Sequence, residues 1–120
     1  MAWALFLVLT EIHKVPEVLC ELKKAGATGA TVVESVGTGQ SLPQPRSPFF
    51  SGLRRLVEGD RPHSDTVISV LPNDDLLEKA IRAVEAVVDF GRPGTGLMFT
   101  VPVHRVRGAE FNLPGAKGDC

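Results

Sequence analysis

Three glycines and an arginine share the turn Gly91-Arg-Pro-Gly-Thr-Gly96. That mixture suits an anion. Glycines let the main chain approach a ligand closely, so backbone N–H groups of 91–96, including those of Gly91, Gly94, Thr95 and Gly96, can cradle phosphate oxygens. Arg92 would neutralise the phosphate charge. The same turn also reads as a helix C-cap followed by a connection into a strand. His13, His63 and His104, with Glu11 beside His13, raise metal binding, but no pair has the spacing of a strong ligand set. Glu34 is a lone carboxylate, and no nucleophile–base pair is recognisable, so the chain reads as a non-enzyme. Phe49 and Phe50, followed by Arg54, Arg55 and Arg61, suit docking on a protein partner: aromatics supply contact area and arginines recognise acidic groups. Their plainer readings are aromatics folded back on the protein and a solvated basic face.

Regular elements must hold these residues. Trp3 to Thr10 is apolar at nearly every position, as expected of a strand covered on both faces. Trp3, Leu5, Leu7 and Leu9 would lie on one face, with Ala4, Phe6 and Val8 on the other. A helix follows from Pro16, carrying Val15, Val18, Leu19 and Leu22 at helical spacing, with Lys23 and Lys24 in its last turn and Gly26 as its stop. Gly29 precedes a β-branched second strand, Ala30–Val36. A long loop is expected over Gly37–Asp65, holding Pro43, Pro45 and Pro48 and a short helical turn at Leu53–Val57. Loops of that length are mostly functional or disordered. The third strand is Thr66–Leu71. Pro72 and Asn73 turn the chain, and Asp74 and Asp75 open a second helix that runs through Leu77, Ile81, Val84 and Val88 to about Phe90, where Gly91 stops it. Pro102 makes the fourth strand, Leu97–Val103, an edge strand.

The order β-α-β-β-α-β predicts an α+β, ferredoxin-like fold, a four-stranded antiparallel sheet with both helices on one face. Two helices cannot cover both faces, so a homo-oligomer is expected to bury the second. At 120 residues this is one domain, 1–120, with a C-terminal tail over about 108–120. The net charge of −1 argues against a nucleic-acid binder. Cys20 and Cys120 have no metal-like spacing. Cys20 reads as a small buried apolar residue, and a cytoplasmic location is expected. The apolar N-terminal run lacks the flanks of a signal peptide and is too short to span a bilayer.

Three segments carry a family likeness: Gly29-Ala-Thr-Val-Val-Glu-Ser-Val-Gly-Thr-Gly39, Val70-Leu-Pro-Asn-Asp-Asp75, and Phe90-Gly-Arg-Pro-Gly-Thr-Gly-Leu-Met-Phe-Thr-Val-Pro-Val103. Through them the chain resembles the PII signalling family, as a divergent PII-like member, over roughly residues 3–107. The resemblance implies a homotrimer with an adenine nucleotide (ATP, ADP, AMP or a cyclic nucleotide) in each cleft between subunits. It also implies a mobile T-loop that docks on a membrane transporter, metabolic enzyme or regulator. Carried over position by position, the nucleotide site would take Thr31, Gly37, Thr38, Gly39, Gly91, Arg92, Gly94, Thr95, Gly96, Arg105 and Arg107. The partner surface would take Phe49, Phe50, Arg54 and Arg55. Against the family pattern, Thr95 stands where an acidic residue is usual, Leu97 where a lysine is usual, and Gln40-Ser41 where an arginine–glutamine pair sits. Sensing of 2-oxoglutarate is therefore not expected. The chain has no tyrosine, which excludes modification of a loop tyrosine. A CutA-like metal-binding trimer of the same fold is the alternative.

Overall fold

Alternation along the first strand sets the architecture of the computed structural model, which describes residues 1–36 and 63–108. Expectations resting on Gly37, Thr38, Gly39, Phe49, Phe50, Arg54, Arg55, the helical turn at 53–57 and Cys120 lie outside the described residues. The elements are β1 (Ala2–Leu9), a 3₁₀ turn (Ile12–Lys14), α1 (Val15–Ala25), β2 (Thr31–Val36), β3 (His63–Leu71), α2 (Asp74–Glu85) and β4 (Gly96–Val103). The strands form one antiparallel sheet in the order β2-β3-β1-β4. This is the expected ferredoxin-like arrangement.

Odd-numbered residues of β1 enter the core. Leu5, Leu7 and Leu9 are fully buried with Val67 and Leu71 of β3, beneath Val15, Val18 and Leu22 of α1 and Leu77, Ala80 and Val84 of α2. Trp3, half-buried on the same face, donates from its indole Nε1 to Asp74 Oδ1 at 2.6 Å, tying the start of α2 to the sheet. Asn73 caps that helix, its side-chain oxygen accepting from the Leu76 N–H at 2.9 Å. Ser69, buried beneath the helices, donates to the Gly29 carbonyl at 2.8 Å and fixes the link from α1 into β2.

Several expectations need correction. β3 begins at His63 rather than Thr66, so the connection between β2 and β3 covers 37–62 rather than Gly37–Asp65. The added residues pair with β2 as Val36↔His63, Ser35↔Ser64 and Glu34↔Asp65, which supplies the strand partners that local composition did not reveal. α2 ends at Glu85, not near Phe90. The N–H groups of Val87 and Val88 both converge on the Val84 carbonyl at 2.9 Å, tightening the last turn so that Val88 enters the core. Cys20 is half-buried rather than buried, and it is not a free thiol. β4 starts one residue early, at Gly96, and lies at the sheet edge as Pro102 requires.

The stop of α1 shows why Gly26 occupies its place. Its φ of 114° is left-handed, and the next N–H, from Ala27, reaches back to the Leu22 carbonyl at 3.0 Å. A Cβ there would also stand 2.8 Å from Leu76 Cδ2 on α2. Gly26→Ala should therefore lower stability by about 1–2 kcal/mol, read as a shift in urea midpoint; an unchanged midpoint would contradict this account.

Candidate functional site

Antiparallel pairing brings four strand ends together. Leu9 at the end of β1 faces Gly96 on one side and Asp65 on the other, while Val36 at the end of β2 faces His63. The glycine-rich turn and the stem of the 37–62 connection thus share one end of the sheet. They sit on opposite edges of it, β4 and β2.

The turn is sewn to the end of β1. Thr10 donates from its N–H to the Thr95 carbonyl at 3.3 Å, and from its hydroxyl to the Gly94 carbonyl. Inside the turn, the N–H groups of Gly91 and Arg92 donate to Asp89, at Oδ1 (2.9 Å) and the carbonyl (3.2 Å). Thr95, buried, shares its hydroxyl proton between the carbonyls of Asp89 (2.8 Å) and Arg92 (3.0 Å). The Thr95 hydroxyl thus faces inward and shapes the turn. Gly96 has a φ of 126°, and a Cβ on it would stand 1.9 Å from the Val8 carbonyl oxygen. Only glycine lets β4 approach β1 here, so Gly96 has a structural duty whatever the turn binds.

Arg92 projects outward with its side chain 59% exposed, and its Nη2 lies 3.3 Å from Glu11 Oε2. Glu11 Oε1 lies 3.3 Å from Lys14 Nζ, and Lys14 also donates to the Val87 carbonyl at 3.3 Å. Desolvation works against the charge on Glu11, but Lys14, Arg92 and His13 outweigh it and hold this carboxyl below its ordinary range. Residue type alone does not mark Glu11 and Lys14 as neighbours of the turn. The signal was the fold order itself, because β1–β4 pairing sets residues 10 and 11 beside 94 and 95.

At the other edge, Thr31 is exposed on the sheet face that the helices leave open, in register with Ile68, Phe6 and Phe99. Three strand spacings separate it from β4, about 14 Å. Arg105 and Arg107 are exposed beyond the far end of β4, about 24 Å along the strand from Gly96. A single chain therefore does not gather Thr31, the turn and these arginines into one cleft. The open face between them is apolar: Phe6 and Phe99 stack at 4.8 Å with planes 2° apart, and Leu97, Phe99 and Val101 are 51%, 43% and 41% exposed. On the loop stem, Ser35 Oγ donates to the Ser64 carbonyl at 3.1 Å and lies 2.9 Å from Ser64 Oγ and 3.0 Å from Thr66 Oγ1. Among the described residues no three His, Cys, Asp or Glu side chains group to hold a metal.

Comparison with known proteins agrees with this geometry. The sequence pattern of the family described as nitrogen regulatory protein P-II matches residues 5–109. A nitrogen regulatory protein P-II of Azospirillum brasilense is 31% identical over 93 residues, covering 78% of this chain and 79% of that protein. The crystal structure of Arabidopsis thaliana PII bound to citrate superposes with a TM-score of 0.60 at 20% identity, covering 85% of this chain and 77% of that one. At that identity the likeness speaks for the fold.

The lowered pKa of Glu11 has a consequence for stability. Its ionised form stabilises the fold above the ordinary carboxylate range, and this contribution disappears as pH falls through the lowered value. Wild type should therefore exceed Glu11→Gln slightly in urea midpoint at neutral pH, with the gap closing on acidification. A gap independent of pH would contradict the ion-pair assignment.

Proposed function

This chain belongs to the nitrogen regulatory protein P-II family and is a PII-like signalling regulator, and on that premise we propose that it senses an adenine nucleotide as a homotrimer. One observation carries the reading. The two groups of ligand-binding candidates lie on opposite edges of one sheet, and the face between them is an uncovered apolar surface. Packing copies through that face would bury the Phe6–Phe99 stack and bring the β2 edge of one subunit near the β4 edge of another.

In that cleft Arg92 meets the phosphates and Thr31 faces the base, with Gly37, Thr38 and Gly39 as the further ligand residues that the family likeness implies. Arg105 and Arg107 enter from a different subunit than the turn they serve. The 37–62 connection is the output, carrying Phe49, Phe50, Arg54 and Arg55 to a transporter, enzyme or regulator. Ligand contact at the stem shifts the population of loop arrangements, provided it binds them with different affinity. The stem is built to take part, since the Ser35–Ser64–Thr66 hydroxyls clamp β2 to β3 where the loop leaves. Leu97, exposed where the family pattern has a lysine, removes a cation from the cleft and favours a ligand with fewer phosphate charges. Among the described residues no helix is long and apolar enough to cross a membrane.

Two measurements test this. Titration calorimetry with ATP, ADP, AMP and cyclic AMP should find a nucleotide ligand whose affinity falls about tenfold or more in Arg92→Ala; equal affinity for every nucleotide would remove Arg92 from the site. Light scattering should give a trimer for wild type and a smaller species for Phe99→Asp, because the new charge would be buried unpaired. A Phe99→Asp trimer would place the interface elsewhere.

A further inference from the structure

Arg92 already has an anion. Its guanidinium lies 3.3 Å from Glu11 Oε2, and a carboxylate offers the same oxygen acceptors as a phosphate. Glu11 is the more fixed partner: its side chain is 25% exposed against 59% for Arg92, and its other oxygen pairs with Lys14, which is itself bound to the Val87 carbonyl. The turn beyond is pinned by Thr10 to the end of β1, which keeps Arg92 and Glu11 side by side.

We infer that Glu11 is a resident counter-anion that sets which phosphates Arg92 accepts, a specificity-determining residue for the ligand. The inference rests on the reading that Arg92 meets the ligand's phosphate. An incoming phosphate must either displace Glu11 from Arg92 or share the guanidinium with it. Like charges repel more strongly as the ligand's charge grows. Glu11 therefore disfavours a triphosphate more than a singly charged cyclic phosphodiester. Replacing it by glutamine removes the repulsion and leaves Arg92 without a resident anion to displace.

The test is calorimetry on the full chain at low ionic strength, with ATP and cyclic AMP as probes. Wild type, Glu11→Gln, Arg92→Ala and the double variant are compared. Glu11→Gln should tighten ATP by about 1.4-fold to fivefold, the range of an exposed charge pair, and cyclic AMP by less. In the Arg92→Ala background the Glu11→Gln gain should shrink, because only direct repulsion between Glu11 and the ligand is left to remove. No gain for ATP, an equal gain for both ligands, or a gain undiminished without Arg92 would overturn the inference. Should wild type bind neither nucleotide, the nucleotide reading fails, and inorganic pyrophosphate decides the role of Glu11. Tighter pyrophosphate binding in Glu11→Gln, diminished with Arg92→Ala, would sustain it; indifference or no binding would end it.

Discussion

Strand β1 must bury two apolar faces, and the chain supplies helices for one. Lying between β3 and β4, it contributes Leu5, Leu7 and Leu9 to the layer under α1 and α2, where each is fully buried. On the other face Phe6 and Val8 are only partly covered, by neighbouring strands. Burying a large apolar side chain contributes about 1.5–3 kcal/mol, so the open face carries a strong drive towards association. The same strand sets the site, because its end anchors the glycine-rich turn.

That anchoring depends on one close approach. Gly96 opens β4 against the Val8 carbonyl at a distance no side chain tolerates, and the register that follows places Thr10 and Glu11 against the turn. Much of the turn's hydrogen-bonding capacity is then used internally, by Asp89 and Thr95. The outward chemistry passes to Arg92, held beside a carboxylate. An anion meeting this turn would meet its resident charges as well as its backbone donors.

The separation of the turn from the loop stem follows from the topology. Both the turn and the stem of the 37–62 connection lie at one end of the sheet, yet three strand spacings separate their edges. In a lone chain they are remote; in the proposed ring they are neighbours across a subunit boundary. Assembly would then be a condition of sensing, since a ligand spanning both edges exists only where two copies meet.

Much was legible in the sequence by itself. Period-two alternation in β1, the Pro16–Gly26 punctuation of α1, the Asn73-Asp-Asp start of α2 and Pro102 at an edge are local signals, each written by neighbours within a few residues. From them came the element order, the ferredoxin-like sheet and the need to cover a second face. The boundaries that failed were those set by remote partners. His63 to Asp65 are strand only because Val36, Ser35 and Glu34 pair with them, and α2 ends early because Val88 has a place in the core. The pairing of Glu11 with Arg92 belongs to the same class, for they stand 81 positions apart in the chain. Only strand pairing in three dimensions turns that separation into 3.3 Å, since contact between distant residues depends on register and no local pattern records it.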